Sequence, residues 1–379
     1  MSTASLIHAP GSVPFFDTGP SFFGLRAKLL EDFAELIDTG AFTNGPQVAA
    51  FEEAFAEYCW TDDCIGLASG LDALRLGLLA AGIEPGDEVI VPANTFVATL
   101  EGVAQAGGVP VVADVDDDDY NLDPAAVEAA ITPRTRFLLP VHLYGQMADM
   151  RALASIAKRH GLELLEDACQ AHGAERDGLR AGASAIAGAF SFDPAKNLGA
   201  LGDAGALVTD DAVLATQVRA LREHGQTRKY HHAREGYTAR LDTIQAIVLL
   251  HKLPHLDRGN EERRAVARLY TEALADVGDL GLPQVAEGSN PVWHLFVVRT
   301  EDPEDLAGFL RERGIGTGRH YPEPAHLSPA YAALGTRPGS APVAETVARE
   351  VLSLPIFPGM SEAQVDTVTG AIRDFFARR

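Results

Sequence analysis

The sequence predicts an α/β fold: a large domain over residues 1–250 built on a mostly parallel sheet, then a small C-terminal α+β domain over residues 251–379. Two observations predict it. From about residue 64 onward, short apolar runs alternate with amphipathic stretches, the strand–helix–strand order that leaves helices on both faces of a parallel sheet. Near residue 250 this rhythm stops, and a long helical pattern gives way to a strand-like run between helices.

Residues 25–36 read as a helix able to pack on either part. Val89, Ile90 and Val91 read as a strand, as do residues 109–115, 137–143 and 162–166. Between them the clearest helix carries Met150, Leu153, Ile156 and Ala157, spaced three and four apart on one face. Residues 241–274 read as one long helix, 292–298 as a strand, and 304–313 and 363–379 as helices. There is no internal repeat and no low-complexity linker. In parallel sheets of this kind ligands bind beyond the carboxyl ends of the strands, so the residues just after each strand are the place to look for chemistry.

Composition narrows the function. The 379 residues carry a net charge of −22, which argues against nucleic-acid binding, since that needs a basic face. No stretch approaches the roughly 18 uninterrupted apolar residues of a membrane span. Residues 1–20 lack a basic head followed by an apolar run, and the three cysteines (Cys59, Cys64, Cys169) are no disulfide framework, so a cytoplasmic protein is expected. The acidic run Asp114 to Asp119 lacks the glycine and later glutamate of a calcium loop and reads as a solvated loop. Gly314 to Gly318 has the wrong spacing for a dinucleotide fingerprint.

Three segments carry candidate chemistry. Ser69, Gly70 and Leu71 form a small-residue turn opening an apolar helix, where backbone N–H groups and the helix N-terminus favour an anion such as phosphate. Asp167 and Gln170 follow an apolar strand directly. An acid there is ordinarily a helix cap, but beside a pyridine nitrogen it would keep that nitrogen protonated and make the ring an electron sink. Lys196 lies in a Gly/Ala/Pro-rich loop after Ser191. Most such lysines are surface lysines; a Schiff-base lysine must lose its proton, and partial burial helps it do so.

The order of a Ser-Gly turn, an Asp three residues before a Gln, and Ser-Phe followed by Lys resembles the sugar aminotransferases of the DegT/DnrJ/EryC1/StrS family. The likeness runs almost the full length, through Gly45-Pro46 with Phe51-Glu52, Pro92 with Thr95-Phe96, Asn121 to Pro124, His142 to Gly145, Arg240-Leu241-Asp242 with Gln245-Ala246, and His320-Tyr321-Pro322. The resemblance implies the fold-type I architecture of aspartate aminotransferase and pyridoxal 5'-phosphate as cofactor. It implies that Lys196 holds the cofactor and moves protons, that Asp167 faces the pyridine nitrogen, and that Gln170 bonds the ring hydroxyl. Ser69, Gly70, Leu71 and Ser191 would hold the phosphate, Phe96 would stack on the ring, and His320 and Tyr321 would face the substrate. A homodimer with the active site at its interface is implied too, with residues 241–253 as the interface helix.

Departures from the family pattern matter as well. Leu71 stands where threonine is commoner, and Thr238 where an asparagine reaches the neighbouring subunit's phosphate. Asp193, three residues before Lys196, is expected to point away from the site. The segment 222–240 carries Arg222, Arg228, Lys229, Arg234 and Arg240, and is expected to supply positive charge for a nucleotide diphosphate, with Arg228 and Lys229 as substrate contacts. Its histidines lack zinc-ligand spacing, so no metal is expected. The implied reaction moves an amino group from L-glutamate to the 3-keto position of a dTDP-6-deoxyhexose; a 4-keto-sugar or scyllo-inosose is the nearest alternative. From another class, a catalytically idle regulatory module would not need Lys196, Asp167 and Gln170 together. A generic amino-acid aminotransferase usually requires a dedicated arginine for the second substrate carboxylate, and none can be placed from the sequence.

Overall fold

The computed structural model describes residues 12–22 and 24–378; most of the N-terminal stretch read above for a targeting signal lies outside them. In chain order the strands of the first half are β1 (Asp63–Leu67), β2 (Glu88–Pro92), β3 (Val109–Ala113), β4 (Thr135–Leu138), β5 (Glu163–Asp167), a side hairpin of β6 (Glu175–Arg176) and β7 (Leu179–Arg180), then β8 (Ala187–Ser191) and β9 (Gly205–Thr209). Seven of them form one sheet in the order β1–β9–β8–β5–β4–β2–β3. Only β9 runs against its neighbours; the other pairings, β8–β5–β4–β2–β3, are parallel.

Alternation along each strand divides the core between the two faces. Ile90, Leu138, Leu164, Phe190 and Val208 point into one apolar cluster. Val89, Val91, Phe137, Leu165 and Leu207, one residue over, point into the other. The first face is covered by α2 (Pro46–Cys59), through Phe51 and Phe55, and the second by α3 (Gly70–Ala80) and α4 (Ala98–Gln105). Beyond these come α5 (Pro124–Ala130), α6 (Met150–His160) and α7 (Ala212–Arg222). The stripe Met150, Leu153, Ile156 and Ala157 is the buried face of α6, on the first side of the sheet. The N-terminal helix α1 (Arg26–Thr39) packs on α8 (Thr243–Lys252), burying Leu29 and Leu36 against Ile247 and Val248.

The predicted helix over residues 241–274 is two helices. A single 3-10 turn at Leu253–His255 separates α8 from α9 (Leu256–Leu274), because Pro254 has no amide to continue the ladder. Strand pairing predicted through residue 143 stops at Leu138; Val141 keeps one parallel bridge to Asp167, and the chain then turns sharply at Leu143–Gly145. Further on, a ribbon of β10 (Gln226–Arg228) and β11 (His231–His232) leaves the body of the fold, and β12 (Ser289–Asn290) pairs with β6. Next, β13 (Phe296–Arg299) pairs antiparallel with β14 (Val351–Leu354). These two strands share an apolar cluster with α9, α10 (Pro303–Glu312) and α12 (Glu362–Phe376). Asp114, from the acidic run, accepts the Val343 and Ala344 N–H groups at 2.9 Å each and so caps α11 (Pro342–Glu350).

Candidate active site

β5 ends in two adjacent acids that face different ways. Glu166 is fully buried: it accepts the Gly182 N–H at 2.8 Å, the Ser184 N–H at 2.6 Å and the His142 ring at 2.7 Å. Because the Ala148 N–H donates to His142 Nδ1, the imidazole proton sits on Nε2 and donates to Glu166. Asp167 is 5% exposed and takes a different set of donors. Its Oδ2 accepts Thr99 Oγ1 at 2.8 Å and its Oδ1 accepts the Cys169 N–H at 3.2 Å, and among the described residues no cation pairs with it. Thr99 is in turn paired with Thr95 at 2.7 Å.

Beside this carboxylate the other strand ends converge. At the α3 N-terminus Ser69 caps the helix, its Oγ accepting the Asp72 N–H at 3.0 Å. That use of the hydroxyl leaves the first N–H groups, at Gly70 and Leu71, without a backbone partner among the described residues. Gly70 is a glycine for a steric reason: a Cβ there would come within 2.7 Å of Ser191 Cβ and 2.8 Å of Cys169 Sγ. The helix N-terminus therefore lies directly against Ser191, at the end of β8. After Ser191 the chain makes a tight turn through Lys196, closed by Lys196 N–H to Asp193 C=O at 2.8 Å and Ala200 N–H to Phe192 C=O at 2.8 Å. The Asp193 carboxylate, expected to point away from the site, accepts the Ala195 N–H at 2.9 Å and forms no ion pair with Lys196 among the described residues. Lys196 is half-buried, and its amine makes no hydrogen bond or ion pair among the described residues.

Three buried histidines and a thiol lie within the electrostatic reach of that amine. Burial and then the Lys196 charge lower the pKa of His172 to about 3 and that of His320 to about 4. Burial and Lys196 likewise hold His294 well below the ordinary histidine range. Burial, and next Asp167, push the Cys169 thiol well up, with Lys196 opposing. Cys169 therefore feels both the acid and the lysine. Gln170 is buried and spans the same space: its Oε1 accepts the Tyr144 N–H at 2.7 Å, and its Nε2 donates to Tyr321 Oη at 3.1 Å. Phe96, half exposed, lies 5.6 Å from the Tyr321 ring. His320 stacks on Phe15 at 5.6 Å and bonds Ser353 Oγ at 2.8 Å.

The remaining predicted residues lie outside this cluster. Thr238 is exposed and meets His224 at 3.3 Å. Arg228 and Lys229 stand on the exposed β10–β11 ribbon and give no hydrogen bond, ion pair or ring contact to the cluster among the described residues. Of the expected positive segment, Arg222 is spent on Glu52 and the Gly66 carbonyl, and Arg240 on Glu223 at 2.9 Å. The sequence reading did not single out Thr99, Asn197, Asn260 or His294, all of which the fold brings to the cluster's edge. Only Thr99 carried a usable signal, standing four residues after Thr95 on one face of a helix start.

A family model described as the DegT/DnrJ/EryC1/StrS aminotransferase family matches residues 25–373. The chain belongs to this family. It is a sugar aminotransferase of the pyridoxal-phosphate-dependent kind. Over 366 residues this aminotransferase is 50% identical to a dTDP-3-amino-3,4,6-trideoxy-alpha-D-glucose transaminase of Streptomyces venezuelae, covering 97% of each chain. It superposes with a TM-score of 0.95 on the crystal structure of S. venezuelae DesV in complex with a ketimine intermediate, at 49% identity over 97% of this chain and 99% of that one. A TM-score of 0.89 relates it to ntda of Bacillus subtilis with bound cofactor PMP, at 34% identity over 97% of this chain and 86% of that one.

The neutral histidines make this aminotransferase acid-sensitive. His172 and His320 titrate near 3 and 4 when folded, against an ordinary value of 6.5, so in that interval the unfolded chain binds more protons. Stability present above the unfolded value is lost as pH falls toward the folded ones. Urea denaturation should show the unfolding free energy dropping between about pH 7 and pH 5, with about 2 kcal/mol from His172 alone. His172→Gln should flatten that slope.

Proposed function

We propose that this aminotransferase transfers the amino group of L-glutamate to the 3-keto carbon of a dTDP-linked 6-deoxyhexose, in secondary-metabolite or surface-sugar biosynthesis. The observation that carries the cofactor roles is a complementary donor set. Among the described residues, a buried carboxylate without a cation, an unpaired lysine, and free N–H groups opposite a serine match the three ends of pyridoxal phosphate: ring nitrogen, aldehyde carbon and phosphate. The half-exposed Phe96 ring, beside Tyr321, offers the flat apolar wall that such a ring needs. When bound, the cofactor supplies an electron sink for the pair left by a breaking C–H bond next to the amine nitrogen.

The chain's own groups do the rest. Asp167 would keep the ring nitrogen charged, since an adjacent opposite charge favours the protonated form. Lys196, free of any carboxylate partner, would carry the proton from one carbon to the other. Neutral imidazoles at His172, His294 and His320 add no further positive charge beside that amine. Ser191 and the N–H groups of Gly70 and Leu71 would hold the phosphate. Gln170 and Tyr321, already bonded to each other, would align the ring hydroxyl and the sugar. We place the division between a large cofactor-binding part and a smaller C-terminal part near residue 250, with the substrate between them and the enzyme in the cytoplasm. The 3-keto assignment is supported by the S. venezuelae relative, and by a Micromonospora megalomicea relative of the same name at 42% identity.

We also propose a homodimer. The helix expected at the interface, α8, buries most of its apolar residues within the chain, but Ile244 stays exposed. Elements that neighbour α8 add exposed Leu30 and Ile37 of α1, Phe42 and Leu201, apolar side chains that a partner would cover. Arg228, Lys229 and Thr238 would then serve the partner's site, where two unpaired cations suit a diphosphate. Light scattering of the eluting protein should give twice the chain mass, and Phe42→Glu should give the single mass with turnover lost.

The substrate is tested by incubating the yellow enzyme with glutamate and a panel of 3-keto and 4-keto dTDP-sugars and an inosose. The product mass and ring position should show amine at carbon 3 and ping-pong kinetics. Amination at carbon 4 or of the inosose would replace the sugar assignment. Binding without turnover would point to a regulatory module.

A further inference from the structure

A chain of side-chain amides joins the Lys196 turn to the segment after the Asp167 strand end, and the chemistry above does not use these amides. Asn260, on α9, is 1% exposed. Its Nδ2 donates to the His172 carbonyl at 2.9 Å, and its Oδ1 accepts Asn197 Nδ2 at 2.8 Å. The same Asn197 Nδ2 donates to the Val292 carbonyl at 2.9 Å. His172 continues the chain, its Nε2–H donating to the Ser191 carbonyl at 2.9 Å. The orientation of both amides is forced. Asn260 must turn its NH2 to a carbonyl that can only accept, which leaves its oxygen for Asn197; Asn197 faces two acceptors and must present its NH2. Asn197 Oδ1 and His172 Nδ1 are left buried without partners. The close approach is built into the backbone: Gly173 has φ +85, and a Cβ there would lie 3.2 Å from Asn260 Nδ2 and 2.2 Å from Tyr58 Oη.

A lysine side chain has four rotatable bonds, so its amine is located only as well as its backbone is. The turn carrying Lys196 is closed by bonds within itself, and Asn197, the next residue, fastens it to two outside elements. One helix, α9, thus holds both the neighbour of the lysine and the segment that follows the acid. We propose that Asn197 and Asn260 are positioning residues that fix the stand-off of the Lys196 amine from Asp167 and Ser191. The proposal rests on the role given to Lys196 above. An error of about 1 Å in such a stand-off can cost a hundredfold in rate, while substrate contacts made elsewhere stay intact.

The test compares Asn197→Asp, Asn197→Ala, Asn260→Leu and the double variant Asn197→Ala with Asn260→Leu. Asn197→Asp keeps the shape and removes the donor. We expect it to match Asn197→Ala, with kcat about 10- to 100-fold down and KM for the keto-sugar within about threefold of wild type. Residues acting as one unit lose their effect once, so the double variant should be no slower than the slower single variant. In cofactor-free protein, amide exchange over residues 193–200 should quicken about tenfold in Asn197→Asp, with β13 and β14 unchanged. Wild-type kinetics in Asn197→Asp, losses that multiply in the double variant, or unchanged exchange would each overturn the proposal. If Asn260→Leu does not fold, the half-buried Asn197 variants decide it through exchange and kcat. A wild-type enzyme that aminates no sugar would defeat the functional reading instead, and the exchange result would still judge the relay.

Discussion

The structure around Lys196 depends on one buried anion. Asp167 sits at the end of a strand covered on both faces, with a hydroxyl and an amide as its donors and no cation among the described residues. Burying an unpaired charge costs several kcal/mol unless hydrogen bonds offset it. Here the offset is assembled from three places: the strand end itself, Thr99 in the first turn of α4, and Thr95 just before that helix. The backbone around the acid is held from both sides, by Asp167 N–H to Pro140 C=O at 2.9 Å and His142 N–H to Asp167 C=O at 3.0 Å. A carboxylate fixed so firmly, and without a positive partner among the described residues, suits the proposed role of holding a cation that arrives with a ligand.

The neighbouring acid shows the contrast. Glu166 is as deeply buried but takes its donors from the chain itself, two amides and an imidazole. It ties the segment after β4, β5 and the 182–184 loop together. Around the lysine the logic is reversed. Three imidazoles are buried close enough to feel its charge, and burial keeps them uncharged, so the amine meets neutral groups where a basic residue would raise local repulsion. Acidity of the whole chain and local neutrality at the site are therefore compatible.

Much of this was legible in the sequence, for local reasons. Strands buried on both faces read as apolar runs, and the α6 stripe read as a helical period, because each signal lies within a dozen residues. The positions of Asp167, Gln170, Ser191 and Lys196 were legible because each stands at or just after the end of a strand, in a family-like order. What was not legible is long-range pairing. Nothing near Arg222 in the sequence says that Glu52 will neutralise it, so a count of cations overstated the charge of the 222–240 segment. Asn260 is an ordinary polar residue on an amphipathic helix until the fold sets it against residues 63 and 88 positions away. The break at Pro254 was written in the sequence and was overlooked because the apolar period continues across it.

In the proposed reaction the Lys196 amine is the point at which the cofactor is joined to the chain, within reach of the Asp167 carboxylate. Reducing the yellow enzyme with borohydride, digesting it and sequencing the fluorescent peptide by mass tests this directly. The account predicts a single pyridoxyl adduct, on Lys196, absent when Lys196 is replaced by alanine. An adduct on another lysine, such as the buried Lys252, or a wild-type yield in Lys196→Ala would contradict it.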